Sequence, residues 1–169
     1  MKMNMKKITT IVLFVLLGAT ASFAQSPLGN GGKQLNAGFG FSNYGLPVYV
    51  GLDFGVHKDI TIGPRLSYRT YNYRFNNNRY NQSLTVLSFN GNYHFDSLFE
   101  LPSEWNIYAG LTMGYYLWSS AEFGGQASGI GLDGQIGVRY FLSDKFGLNL
   151  EFGGGTGTGG TFGITYLLK

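Results

Sequence analysis

Between Val48 and His57 apolar residues occupy every second position. Val48, Val50, Leu52, Phe54 and Val56 fall on one parity, and Tyr49, Gly51, Asp53, Gly55 and His57 on the other. Successive side chains of a strand point to opposite faces, so this segment has one apolar and one mixed face. The same alternation returns in segment after segment, and a sheet with one continuous apolar face has few ways of hiding it from water.

Followed along the chain, the period of two predicts eight strands. The first covers 34–43, with Leu35, Ala37, Phe39 and Phe41 on the apolar face, and the second is Val48–His57. The third starts at Ile60 after a tight turn, with Thr61, Gly63, Arg65, Ser67 and Arg69 on the mixed face. A polar run, 76–82, reads as a loop before the fourth strand, 84–95. The remaining strands are predicted at 106–118, 130–141, 146–153 and 161–169. Compact turns at 57–59 and 142–145 alternate with longer polar or glycine-rich connections at 76–82, 119–129 and 154–160. The short connection 45–47 and the long one at 96–104 depart from that rule.

The N-terminus indicates where such a sheet would go. Lys2, Lys6 and Lys7 precede the apolar run 8–17, and Ser22-Phe23-Ala24 offers small residues before Gln25. This is the three-part pattern of a cleaved secretory signal peptide, which sets the expected boundaries at 1–24 and 25–169. With that segment removed, 12 − 3 = 9 Lys+Arg face 9 Asp+Glu, so the exported chain is formally neutral and nucleic acid is not an expected partner. The chain has no cysteine, which excludes disulfides, lipoprotein anchoring and thiolate metal sites. No later segment reaches the roughly 18 consecutive apolar residues of a membrane helix.

Strands of this length suit the roughly 9–11 residues that a tilted strand needs to cross a bilayer core. Lipid cannot satisfy an open sheet edge, so a spanning sheet must close on itself. The expected fold is therefore all-β, an eight-stranded antiparallel up-and-down transmembrane barrel. A soluble barrel of lipocalin type would carry its apolar face inside. Charge decides the facing: Asp53, Arg65, Arg69, Asp133, Arg139 and Glu151 all share the mixed face, so that face lines the lumen. Apolar-face aromatics near strand ends (Phe41, Tyr68, Tyr93, Phe95, Tyr115, Tyr140, Phe146 and Tyr166) suit two interfacial girdles.

Three acids and three bases on one inner face predict an internal ion-pair network that plugs a lumen of this size. The alternative is a polar path for small solutes, gated by Arg65, Arg69 and Glu151. Acid–base catalysis is the costlier account, since each carboxylate has a cationic partner on its own face. His57 and His94 fall at predicted strand ends beside Asp59 and Asp96, where solvated histidines are common, and two are too few for a typical zinc site. No metal or other cofactor is expected. Residues 155–160 match G-x-G-x-x-G, but strands flank the run and no helix N-terminus is available to take a phosphate. Strand glycines such as Gly110, Gly114, Gly134 and Gly137 are expected to make room for neighbouring aromatics. Arg74 and Arg79 flank the polar run and are candidates for contact with lipopolysaccharide phosphates or an external partner. Asp96-Ser97-Leu98 has the form of a short O-glycosylation acceptor.

With its export signal, alternating segments and neutral mature charge, the chain resembles the small eight-stranded outer-membrane β-barrel proteins, such as OmpX and the transmembrane domain of OmpA. The resemblance covers nearly all of 33–169 and lies in architecture rather than in a catalytic motif. Members usually end in an aromatic residue, whereas this chain ends Tyr166-Leu-Leu-Lys169. The resemblance implies a Gram-negative outer-membrane protein, surrounded by lipid and lipopolysaccharide. It also implies folding with periplasmic chaperones and the barrel-assembly machinery. A monomer is expected. The expected role is non-enzymatic, in envelope integrity or surface interaction. The alternatives are a narrow channel or transporter for small or apolar solutes, like OmpW, and a lipid A-modifying barrel enzyme.

Overall fold

A computed structural model describes residues 28–43, 45–119, 126–157 and 159–168. The proposed signal segment 1–24, part of the 119–129 connection and Lys169 lie outside the described residues. Eight strands run in order, β1 (Lys33–Ser42), β2 (Val48–His57), β3 (Ile60–Phe75), β4 (Asn78–His94), β5 (Trp105–Trp118), β6 (Gly129–Phe141), β7 (Phe146–Gly155) and β8 (Gly159–Leu168). Every neighbouring pair is antiparallel, and β8 pairs back onto β1 to close the barrel. Among the described residues each strand has a partner on both sides along the barrel wall, which is the condition for a sheet to stand in lipid.

The two faces are inverted relative to a soluble domain. Outward residues such as Val50, Leu111, Met113 and Ile136 are exposed, at 44%, 60%, 62% and 63% of their full accessibility. Asp53, Asn90, Arg139 and Thr165, pointing inward, are buried to 2% or less. A bare apolar wall of this extent would associate in water and is at ease only in a hydrocarbon phase. Exposed aromatics mark both ends of that wall. At the hairpin end, which carries the β3–β4 connection, stand Phe41, Tyr68 and Tyr115. At the terminal end, where β1 begins and β8 finishes, stand Tyr93, Trp105, Tyr140 and Tyr166, with the Trp105 and Tyr140 rings 4.8 Å apart.

The polar run 76–82 is mostly not a loop. Pairing continues without a break from Ile60↔Tyr93 to Phe75↔Asn78, and only Asn76 and Asn77 form the turn. Both take positive φ, 46° and 66°, a conformation asparagine tolerates and two-residue hairpins require. The glycine-rich run 154–160 shortens in the same way, with β7 reaching Gly155 and β8 starting at Gly159. Beyond the lipid a strand needs cross-strand partners but no apolar face, so composition underestimated both ladders. The long connection at 96–104 contains a short helix, α1 (Asp96–Phe99), ended by Glu100 in the left-handed region at φ 50°.

Candidate functional site in the barrel lumen

All six charged residues expected on the inner face point into the lumen. Two opposite-charge pairs cross it. Arg139 of β6 donates to Asp53 of β2 at 2.9 Å, with both side chains 2% exposed. Asp53 also accepts from Asn90 at 3.0 Å, Asn36 at 3.0 Å and Gln34 at 3.2 Å, so neutral amides share the work of solvating its charge. The Arg139 guanidinium lies over the Tyr108 ring, 4.2 Å from its centroid. One level nearer the hairpin end, Arg65 of β3 forks onto Glu151 of β7 at 2.6 and 3.0 Å, and the Tyr108 hydroxyl donates to the same carboxylate at 2.9 Å. Two parallel N–H···O bonds fix a guanidinium far more tightly than one.

Arg69 and Asp133 are arranged differently. Arg69 donates to Ser42 Oγ at 2.7 Å and to the Gly157 carbonyl at 2.8 Å. Asp133 accepts from the Gly157 N–H at 3.2 Å and from the Tyr116 hydroxyl. Gly157, between β7 and β8, is thus held through both its N–H and its carbonyl at the hairpin end. A second fastening stands beside it: Gln82 donates to the Ser119 and Gln126 carbonyls at 2.8 and 3.0 Å and accepts from Gln126 N–H.

The terminal end has its own polar layer, which sequence reasoning missed. His94 is 1% exposed rather than solvated, lying between Thr61 at 2.9 Å and Asn106 at 2.8 Å. His57, by contrast, is exposed at the end of β2. Asn106 also reaches Asp96, which accepts from the Ile107 N–H at 2.9 Å, and Ser97 donates to Asp59 at 2.6 Å. These bonds fold α1 beneath the barrel and engage Ser97, the candidate glycosylation residue. Burial holds the Asp96 carboxyl above its ordinary value, against the lowering effect of its bonds to Asn106 and Ile107. Among the described residues, no group of three His, Asp or Glu side chains is placed to hold a metal.

Of the four strand glycines, Gly137 faces an aromatic: a Cβ there would stand 2.2 Å from Tyr108 Cζ. Gly110 and Gly114 instead meet backbone and side chains of β4, and a Cβ at Gly134 would make ordinary contact with Leu111 Cδ2 at 4.0 Å. Leu84 and Val86 point inward despite being apolar, and with Tyr116 they form a small cluster at the hairpin end. Arg74 and Arg79 face each other across the ladder near the hairpin tip, both exposed.

No protein-family model and no curated protein sequence matches this chain. Solved structures do match in shape. Outer membrane protein OprG from Pseudomonas aeruginosa superimposes with TM-score 0.67 at 9% identity, over 85% of this chain and 99% of that one. Neisserial surface protein A gives 0.61 at 14% identity, over 80% and 95%. A designed transmembrane β-barrel gives 0.54 at 14% identity, over 82% and 97%. At these identities the likeness establishes architecture: the fold is that of the small eight-stranded outer-membrane β-barrels. That a designed chain matches too means the shape alone names no activity.

Proposed function

We propose that this chain is a non-enzymatic integral protein of a Gram-negative outer membrane, acting in envelope integrity or surface interaction, with a lumen closed by its own side chains. The Arg65–Glu151 fork carries the reading, because it ties opposite walls of the barrel together where a conducting path would have to pass. Its charges neutralise each other, and the Asp53–Arg139 pair repeats the arrangement one level below.

In this reading the terminal end, with the compact turns and α1, faces the periplasm, and the β3–β4 hairpin projects outward. Export by the 1–24 signal, and folding by periplasmic chaperones and the assembly machinery, belong to the same reading, as does a monomeric state. The hairpin is the surface that interacts. Arg74 and Arg79 stand opposite each other, and like charges so placed cost stability unless an anion lies between them. Phosphates of neighbouring lipopolysaccharide, or an anionic external partner, meet that requirement.

The reading predicts recovery with the outer membrane, heat-modifiable gel mobility, and cleavage of the 70–82 hairpin by protease added to intact cells. A protein found soluble in the periplasm, or a hairpin protected until the cells are opened, would overturn it.

A further inference from the structure

The connection between β4 and β5 leaves the barrel wall at Tyr93 and returns to it at Trp105, both exposed members of the terminal-end girdle. Between them, α1 is tied inward by its polar residues. Asp96 accepts from the Ile107 N–H and from Asn106, and Ser97 donates to Asp59. Asn106 in turn accepts from Arg139 at 3.2 Å, so the helix is joined to the lumen network. The apolar residues of the helix are left outside: Leu98 is 63% exposed and Phe99 59%.

These side chains continue the lipid-facing wall. Phe95 follows Tyr93 on the outward parity, with its N–H still bonded to the Ile107 carbonyl of β5 at 2.8 Å. The Tyr93 and Phe95 rings meet edge to face at 5.1 Å, and the Phe99 ring stacks on Phe95 at 5.8 Å. One aromatic column therefore runs from the girdle onto α1. Two residues rising about 3.4 Å each, on a strand tilted by about 40°, carry Phe95 about 5 Å beyond Tyr93. The headgroup layer is roughly 5–8 Å thick on each side of a bilayer, so the end of the column lies within it. Glu100 and Glu104 are exposed in the same connection and hold it at that level, since carboxylates stay with water.

We propose that α1 is an interfacial anchor, with Leu98 and Phe99 seated among the headgroups and first acyl carbons of the phospholipid leaflet that borders the terminal end. The occupant follows from continuity, because the lipid that covers Tyr93 also reaches the rings stacked on from it. The inward bonds of Asp96 and Ser97 keep the apolar face of the helix turned to that lipid. The proposal rests on the lipid-facing reading of the outer wall and adds a second hold on the membrane, confined to the side of the barrel where β4 and β5 meet.

The chain has two tryptophans, so Trp105→Phe with Trp118→Phe gives a background free of them. In that background Phe99→Trp reports on the helix and Met113→Trp on the middle of the wall, both at exposed positions. Each full-length variant is refolded into phosphatidylcholine vesicles, with heat-modifiable mobility confirming the fold. Its emission is then quenched by phosphatidylcholine brominated close to the headgroup, by phosphatidylcholine brominated close to the acyl terminus, and by aqueous acrylamide. Phe99→Trp should lose most of its emission to the shallow bromines and little to acrylamide, whereas Met113→Trp should respond to the deep bromines. Leu98→Trp should behave as Phe99→Trp does and serves where that variant fails to fold. Quenching of both helix reporters by acrylamide alone would overturn the anchor. Stronger quenching of them by the deep bromines than by the shallow ones would overturn its place in the headgroup layer. Protection from every quencher, growing with protein density in the vesicle, would give the face to a second copy of the chain and overturn the lipid occupant. A Met113→Trp reporter untouched by either bromolipid would instead sink the lipid-facing wall, a failure separate from any result at the helix.

Discussion

Asp53 and Arg139 illustrate how a charge is kept in a lumen that lipid surrounds. The guanidinium shares Oδ2 of the carboxylate with the Asn36 and Gln34 amides, the Asn90 amide donates to Oδ1, and Tyr108 covers the guanidinium face. Truncating one partner leaves the other buried without its counter-charge, at a cost of about 3–5 kcal/mol, whereas replacing both by apolar residues of similar volume costs much less. Arg139→Met alone should therefore lower the urea midpoint in vesicles more than Arg139→Met with Asp53→Leu. Equal or additive losses would mean that the pair is not an interacting unit. The six charges were legible as a set, because their shared parity follows from the strand period. Their partners were less so. Arg69 and Asp133 meet on the backbone of Gly157, a contact that leaves no trace in side-chain patterning. His94 looked like a solvated turn residue because a histidine ending a strand beside an acid gives no sign of whether a helix will fold over it. The even parity it shares with Asn90 and Asn92 was the available signal that it faces inward.

Each strand reports one environment on each side, which is why the register of the lipid-facing segments could be read directly. Val48–His57 has the bounds the alternation predicts, and β6 differs from expectation by one residue. The pattern fades where the strands leave the apolar phase. From Thr70 to Gln82 there is no lipid to select apolar residues, so a continuous ladder reads like a loop until the Asn76–Asn77 turn is seen to pin it. Leu84 and Val86 show the opposite failure, apolar residues turned inward to pack on Tyr116. The lipid-facing assignment makes a sharp prediction. Met113 pairs with Phe89 and Leu132 on the outer wall, so Met113→Arg should cost about 2–4 kcal/mol in vesicle-reconstituted protein. Leu142→Arg, also apolar and exposed but in a turn beyond the wall, should stay within about 0.5 kcal/mol of the parent. Equal costs at the two positions, measured by urea unfolding, would deny the outer wall its lipid.

Taken whole, the molecule is a closed sheet with an apolar exterior and a lumen crossed by polar layers at several heights. At the terminal end stand His94, Asn106 and α1, in the middle two ion pairs, and at the hairpin end the contacts of Gly157 and Gln82. The architecture was accessible from sequence because membrane, strand period and closure leave a single consistent arrangement. The role is not encoded that way, since a lumen network and a surface hairpin can serve many purposes on one scaffold. Whether the network closes the barrel is the question on which the functional account turns, and planar-bilayer conductance of the refolded protein answers it. The account predicts no steady current from the wild type and leakage from Arg65→Ala and Glu151→Ala, in which the central fork is cut. A steady wild-type current that those substitutions alter would contradict it and make the lumen a conduit.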